Sequence, residues 1–516
     1  MSSPVDIQIV PKNANYCRVI CNLDIARELS SHFSFEVPGA KFSPLYRSGQ
    51  WDGRTKLFNL MTREIYVGLI PYIFQYAKEA GYSVSDDASL PDTETITFDV
   101  IERFMKALNV QSRGEPIEVR DYQIEAIVTA LRSNRRLLLS PTSSGKSLII
   151  YGIVRWYALQ KKKFLLLVPN KSLVAQLFKD FEDYSSANGW DVEKNCHMIY
   201  GGQEKQSPKP IIISTWQSLY KIGKGAPKSG KLESGVPANY FEQFDVVIGD
   251  EAHLFKSASI VGIMTRCTKA TKRIGTTGTL DGSETNKLVL EGLFGSVCRV
   301  ITTRELMESG QVADLSIKVL QLEYADEIRQ LVSGKKVKLT YDQEMEYLTT
   351  SKKRNKFIAN LAVSQKRNTL VLFQFVEHGK SLYDMIREQC GNDRKVFFVS
   401  GDTELNDRED IREAAEANDG VVIIASYGVF STGVNVRNIH SVIFASPSKS
   451  RVRNLQSIGR GLRLGKGKSS CVLYDIGDNL SWKKRSNYTL LHMIERLKIY
   501  AEEKLAYKII AVPLGT

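Results

Sequence analysis

The chain has 516 residues, 43% hydrophobic and 25% charged, the make-up of a soluble globular protein with length for about three domains. It has no apolar run long enough for a membrane span, and the N-terminal MSSPVDIQIVPKN has no signal-peptide pattern, so a membrane or secreted role is not expected. Its seven cysteines are scattered and lack C-x₂-C spacing, which points to reduced cytoplasmic thiols and away from a disulfide framework or structural zinc.

The net charge of +13 is uneven: residues 1–115 hold 12 Lys+Arg against 14 Asp+Glu, and the remainder holds 58 against 43. A basic excess of that kind suits a polyanionic partner. Within residues 1–112, aromatics (Phe33, Phe35, Phe42, Tyr46, Trp51, Phe58) crowd the turn-like SGQWDGR at 48–54. This predicts a small α+β domain most of whose aromatics are core rather than base-stacking platforms. Any nucleic-acid contact there is expected from Arg47, Arg54 and Lys56, with Trp51 packed.

Next in the chain comes LLLSPTSSGKSLII, 137–150. A short apolar run, a polar turn ending Gly-Lys-Ser and a second apolar run predict strand, loop and buried helix. Such a loop can cradle a triphosphate: Gly145 lets the backbone approach, Lys146 reaches the β/γ oxygens, and Ser147 ligates Mg²⁺. Ser140 stands where the full pattern has its first glycine.

Further strands are expected at 164–168, 211–213 and 246–248, and then at 370–373, 396–399, 421–425, 442–444 and 471–474. Continuous apolar strands, each followed by a helix, predict two tandem α/β domains with parallel sheets covered on both faces. The Gly/Pro/Ser/Lys-rich stretch 221–239 is expected as a loop, solvated or acting as a basic arm. The expected division is an accessory α+β domain at 1–112, ATP-binding and C-terminal motor domains at 113–310 and 311–480, and a short helical tail at 481–516.

Asp250-Glu251-Ala252-His253 follows the strand at 246–248. Paired carboxylates at a strand's end, in one α/β unit with a Gly-Lys-Ser loop, suit phosphoryl chemistry: Asp250 for Mg²⁺ and Glu251 for the attacking water. In the second series, Arg460 and Arg463 lie three apart in QSIGRGLR, 456–463, within an acid-free stretch, and could neutralise charge on a γ-phosphate.

Together these residues resemble the superfamily 2 helicases. PTSSGKS, DEAH, TGT (277–279), STGVN (431–435) and QSIGRGLR match motifs I, II, III, V and VI, and Arg120-Asp121-Tyr122-Gln123 matches the upstream adenine-recognition motif. VPNKSLVAQ (168–176) and STWQSL (214–219) resemble motifs Ia and Ib, which grip the strand backbone. The resemblance implies two RecA-like domains that bind ATP and Mg²⁺. It assigns Arg120, Tyr122, Gln123, Thr142, Ser143, Ser144, Gly145, Lys146, Ser147 and Gly433 to the nucleotide, and Glu251, Asp250, Gln456, Arg460 and Arg463 to catalysis. Ser147 and Asp250 fall to the metal, Pro169 and Thr215 to nucleic acid, and His253, Thr277 and Thr279 to coupling. Two departures stand out: Ser143 replaces the usual second glycine of motif I, and Asn435 the usual aspartate of motif V.

More narrowly, FSFEVPGAKFSPLYRSGQWDGR, SYGVFSTGV and SKKRNKFIANLA resemble the UvsW family of T-even-type bacteriophages nearly end to end. That likeness implies an ATP-dependent DNA helicase that unwinds and branch-migrates forks, Holliday junctions and R-loops in recombination, replication and repair. It would act as a monomer in the infected host's cytoplasm. An RNA helicase, or a duplex-DNA translocase subunit of a larger complex, would use the same motor motifs.

Overall fold

In the computed structural model, residues 5–514 are described except 38, 94, 202, 221–238, 256, 281, 335–337, 433–435, 449, 451–454, 456, 460 and 463–467. The chain divides into two compact units. One comprises residues 1–140 with 145–300, and the other 141–144 with 301–516.

The first unit holds a seven-stranded sheet, all of it parallel, in the spatial order Cys196–Ile199, Ile211–Thr215, Phe164–Val168, Val246–Asp250, Lys272–Thr277, Arg135–Leu139, Val297–Arg299. Phe164–Val168 and Ile211–Thr215 are buried along their whole length, as expected where helices cover both faces of a sheet. The helix Lys146–Ala158 is apolar almost all round and buries eight residues. The loop before it, at the carboxyl end of Arg135–Leu139, is therefore held on a rigid strand–helix frame.

Lys272–Thr277 was not expected as a strand, although it lies next to the phosphate-loop strand. Its sequence, KRIGTT, has a single large apolar residue, and Arg273 is fully buried within it. The Arg273 guanidinium donates to the carbonyls of Met264, Cys267 and Ala270. A buried cation satisfied by backbone oxygens hides a central strand from any hydrophobicity pattern.

Residues 7–86 form a four-stranded mixed sheet, Glu64–Tyr66, Tyr16–Ile20, Ile7–Pro11, Val84–Asp86, with its own core around Ile9, Val19, Phe33, Phe58 and Ile73. The expected boundary at 112 is corrected. The helix Phe98–Ala107 buries Ile101 and Met105 in the motor core beside Ile127 and Ile150. The small domain is also fastened to its neighbour within the same unit. Asn15 Nδ2 donates to Thr265 O at 2.9 Å, Arg135 donates to Ala14 O and to Leu293 O, and Tyr72 OH donates to Glu291 Oε2. A Cβ on Gly68 would overlap the carbonyl oxygen of Glu291, so only glycine permits that approach.

The second unit has the same build: a parallel sheet in the order Val396–Val399, Val422–Ser426, Thr369–Phe373, Ser441–Phe444, Ser470–Asn479, Asp314–Glu323, Tyr507–Pro513. Its compact unit begins at Ile301, ahead of the expected 310/311 boundary. The helical tail expected at 481–516 is also corrected. The helix Tyr488–Glu502 is present, but Tyr507–Pro513 returns as a parallel edge strand on Asp314–Glu323. Arg496, 1% exposed, donates to both oxygens of Asp475, which also accepts from Tyr500 OH at 2.8 Å. The segment is therefore a structural part of this domain. No helix among the described residues is long and apolar enough to cross a membrane.

Candidate nucleotide site

The loop residues 140–147 follow the strand Arg135–Leu139 directly. Ser140 is buried, and its N–H donates to Thr277 O at 2.8 Å, pinning the start of the loop to the neighbouring strand. Ser144, also buried, donates from Oγ to Pro141 O at 2.6 Å. Ser143 has φ +73° and Gly145 φ +81°. The replaced glycine position thus needs left-handed backbone, which a serine adopts at a cost of about 1 kcal/mol.

Gln123 is buried, its Oε1 accepts the Arg120 N–H at 3.0 Å, and its Nε2 occupies the place a Cβ on residue 145 would need. The upstream motif is thus packed onto the loop. Arg120 donates to Tyr122 OH at 2.9 Å, and burial raises the Tyr122 hydroxyl above its ordinary range.

Lys146 Nζ lies 3.4 Å from Glu251 Oε1, and His253 Nδ1 lies 3.3 Å from Glu251 Oε2. The same His253 nitrogen is 2.9 Å from Thr277 Oγ1, which donates to Thr279 O at 3.0 Å. Lys146, Glu251, His253, Thr277 and Thr279 therefore form one chain of contacts, from the phosphate loop to the end of the strand Lys272–Thr277. Glu251 itself has φ +52°, a left-handed conformation uncommon for non-glycine residues.

Asp250 ends the strand Val246–Asp250. Its Oδ1 accepts from Thr276 Oγ1 at 2.7 Å and from the Glu251 N–H at 2.9 Å. Desolvation, and then the neighbouring Glu251, push its carboxyl above the usual carboxylate range, with Lys146 and the two hydrogen bonds pulling the other way. Ser147 Oγ is 2.8 Å from Tyr184 OH.

Thr276 and Tyr184 were not anticipated. Thr276 immediately precedes the TGT motif and pairs in register with Asp250, a signal available only once the strand is known. Tyr184 is 37 residues from Ser147, and nothing local in the sequence links the two. Among the described residues, no cluster of three or more His, Cys, Asp or Glu side chains could hold a metal by itself.

Pro169 and Thr215, expected to touch nucleic acid, lie at the carboxyl ends of adjacent parallel strands, and both are buried. Thr215 Oγ1 is 2.8 Å from Ser218 Oγ, and Pro169 O accepts from Gln217 Nε2 at 3.1 Å. Exposed surface at those strand ends comes instead from Lys171 and Gln217. In the small domain Arg47, Arg54 and Lys56 are exposed as expected. Arg54 donates to Ser34 O at 3.0 Å, Lys56 pairs with Asp52 at 2.8 Å, and Arg47 donates to Lys41 O at 3.4 Å. Trp51 is half-buried with its indole N–H on Arg54 O. Phe33 and Phe58 are core, whereas Phe42 and Tyr46 are exposed. Gly433, Asn435, Gln456, Arg460 and Arg463 lie outside the described residues, as does 221–238 of the basic loop.

Three families match in chain order: the N-terminal family of the DNA helicase UvsW at 6–87, the res subunit of type III restriction enzymes at 116–282, and the helicase conserved C-terminal domain at 352–465. The chain is 34% identical to the ATP-dependent DNA helicase UvsW of Enterobacteria phage T4, over 98% of this chain and 99% of that protein. The crystal structure of T4 UvsW matches 99% of this chain and 100% of its own at 31% identity, with a TM-score of 0.52. The type ISP restriction-modification enzyme LlaBIII, at 16% identity and a TM-score of 0.55, matches 78% of this chain and 31% of its own, a likeness of fold alone.

Proposed function

The chain belongs to the UvsW family of ATP-dependent superfamily 2 DNA helicases, and from that premise we propose that it couples Mg²⁺-dependent ATP hydrolysis to unwinding and branch migration of forks, Holliday junctions and R-loops. The observation that carries the reading is the contact chain Lys146–Glu251–His253–Thr277. A carboxylate that only balanced Lys146 would have no need of a second partner leading away from the phosphate loop.

The residues suit the nucleotide and its ion. Gly145, with no Cβ, lets Gln123 pack directly against the loop. Ser147 and Asp250 are hard oxygen donors of the kind Mg²⁺ takes. When bound, Mg²⁺ would neutralise charge on the phosphate oxygens.

On this reading each residue has a separate task. Lys146 leaves Glu251 for the phosphates, and Glu251 then orients water and takes its proton. Thr276 and the Glu251 N–H hold Asp250 in place. His253 reports the state of Glu251 to Thr277, and so to the segment that follows the strand. The motif likeness assigns Arg460 and Arg463 to charge developing on the γ-phosphate. The protein would act as a monomer in the infected host's cytoplasm.

The test is a synthetic four-way junction incubated with the full-length protein. ATP with Mg²⁺ should dissociate it into duplex arms, and omitting either should prevent this. Unwinding of simple partial duplexes alongside an intact junction would count against the branch-migration reading.

A further inference from the structure

Two exposed aromatics of the small domain, Phe42 and Tyr46, lie on one turn. Phe42 is 67% exposed, Leu45 54% and Tyr46 43%, on two successive short helical turns, Ala40–Phe42 and Pro44–Arg47. The surrounding positive charge is local. Residues 40–56 hold four basic side chains against one acid, whereas the rest of 1–115 holds eight against thirteen. A basic, aromatic turn on an otherwise acidic domain is the composition that binds unpaired nucleotides, because bases stack on rings while cations track the phosphates.

The turn is also stiff. Gln50 and Trp51 both donate from their backbone N–H to Leu45 O, Ser48 donates to Pro44 O, and the Trp51 indole closes onto Arg54 O. The Tyr46 ring lies against Gly53, where a Cβ would come within 3.0 Å of it. Its face is thus fixed before any ligand arrives, and Lys41 Nζ sits 5.5 Å from the centre of the Phe42 ring. Pre-set rings lose little freedom on binding. The strand Ser34–Glu36 that leads into the turn ends at Glu36 O, 3.5 Å from Thr285 Oγ1 on the helix Glu284–Phe294. That helix begins shortly after the Thr277–Thr279 segment joined to the ATP site.

We propose that this turn is a stacking wedge for unpaired bases at a DNA branch point, with Phe42 and Tyr46 as platforms and Lys41 and Arg47 as phosphate contacts. The proposal rests on the reading of the chain as a branched-DNA motor and adds where strand separation is held. Lys41 and Arg47 keep the flanking strand in place while the rings cover the bases that leave the duplex.

The test uses the full chain with Phe42→Ala/Tyr46→Ala, and Phe42→Tyr/Tyr46→Phe as the ring-retaining control. Both pairs are at the surface and should leave folding intact. The probe is a three-strand fork carrying 2-aminopurine at the branch, bound without nucleotide so that the signal is independent of ATP hydrolysis. Wild type and control should change the fluorescence equally. The double alanine variant should lose the change and bind the fork on the order of tenfold more weakly or worse, with ATP turnover on single-stranded DNA preserved. Unchanged fluorescence and fork affinity would overturn the proposal, and so would equal weakening on unbranched DNA. A difference between variant and wild type in self-association without DNA would assign the rings to a second copy instead and would also overturn it. Failure of the wild type to show DNA-stimulated ATP turnover would instead count against the motor reading.

Discussion

Lys146 Nζ and Glu251 Oε1 stand 3.4 Å apart, with side chains 15% and 20% exposed. The two cannot serve ATP in the same way, because one must neutralise phosphate and the other must be free to meet water. Glu251→Gln should bind Mg-ATP at near wild-type affinity and turn it over at least about 10²-fold more slowly. Lys146→Ala should weaken binding itself. Fluorescent-nucleotide titration alongside steady-state turnover separates the two, and normal turnover by Glu251→Gln would remove that carboxylate from the role of base. Arg460→Ala, by contrast, should cut turnover by roughly 10³-fold if it is an arginine finger, with little change in nucleotide affinity.

The small domain and the motor core are packed through Gly68 against Glu291 and through Arg135 to Ala14. Gly68→Ala should therefore destabilise the first unit by about 1–3 kcal/mol, read as a lowered denaturant midpoint. For the same reason a chain starting near residue 112, which would also lose Ile101 and Met105 from the motor core, should fail to fold rather than yield a junction-blind motor.

Arg496 and Asp475 form a buried pair that ties the helix Tyr488–Glu502 to its sheet. Arg496→Met strands a carboxylate in the core and should cost about 3–5 kcal/mol. Adding Asp475→Asn should recover most of that loss, giving a large coupling term in a double-mutant cycle. Truncation before 487 should unfold the second unit. Retained activity after that truncation would show the segment to be a dispensable tail.

His378 is buried between Asn355 Oδ1 and Ser446 Oγ, and desolvation lowers its pKa to about 3, with Arg354 adding to the effect. Its folded value lies below the unfolded 6.5, so the unfolded chain binds the extra proton between those limits. Stability should hold above pH 6.5 and fall by about 1.4 kcal/mol per pH unit below it, toward pH 3. Urea unfolding at pH 7.5, 6 and 5 measures this, and His378→Gln should flatten the slope.

These expectations draw unequally on sequence and structure. Strands such as Phe164–Val168 were legible because both faces are covered and the run is wholly apolar. Lys272–Thr277 was not, since Arg273 is satisfied by carbonyls distant from any pattern. The roles proposed for Lys146 and Glu251 rest on residue type and spacing and that of His253 on the family resemblance, while Thr276 and Tyr184 meet the site only through tertiary contact. Aromatic density could not single out Phe42 and Tyr46 as the exposed members of their group, because it does not say which face a ring presents. Tyr507–Pro513 was hidden because it is a mostly exposed edge strand.

The most direct test of the central claim is ATP turnover by the full-length protein, compared across forked DNA, single-stranded DNA, duplex DNA and RNA of matched length. A branched-DNA motor predicts the largest stimulation by forked DNA, with turnover at least about 10²-fold lower in Glu251→Gln. Stimulation by RNA alone would contradict it.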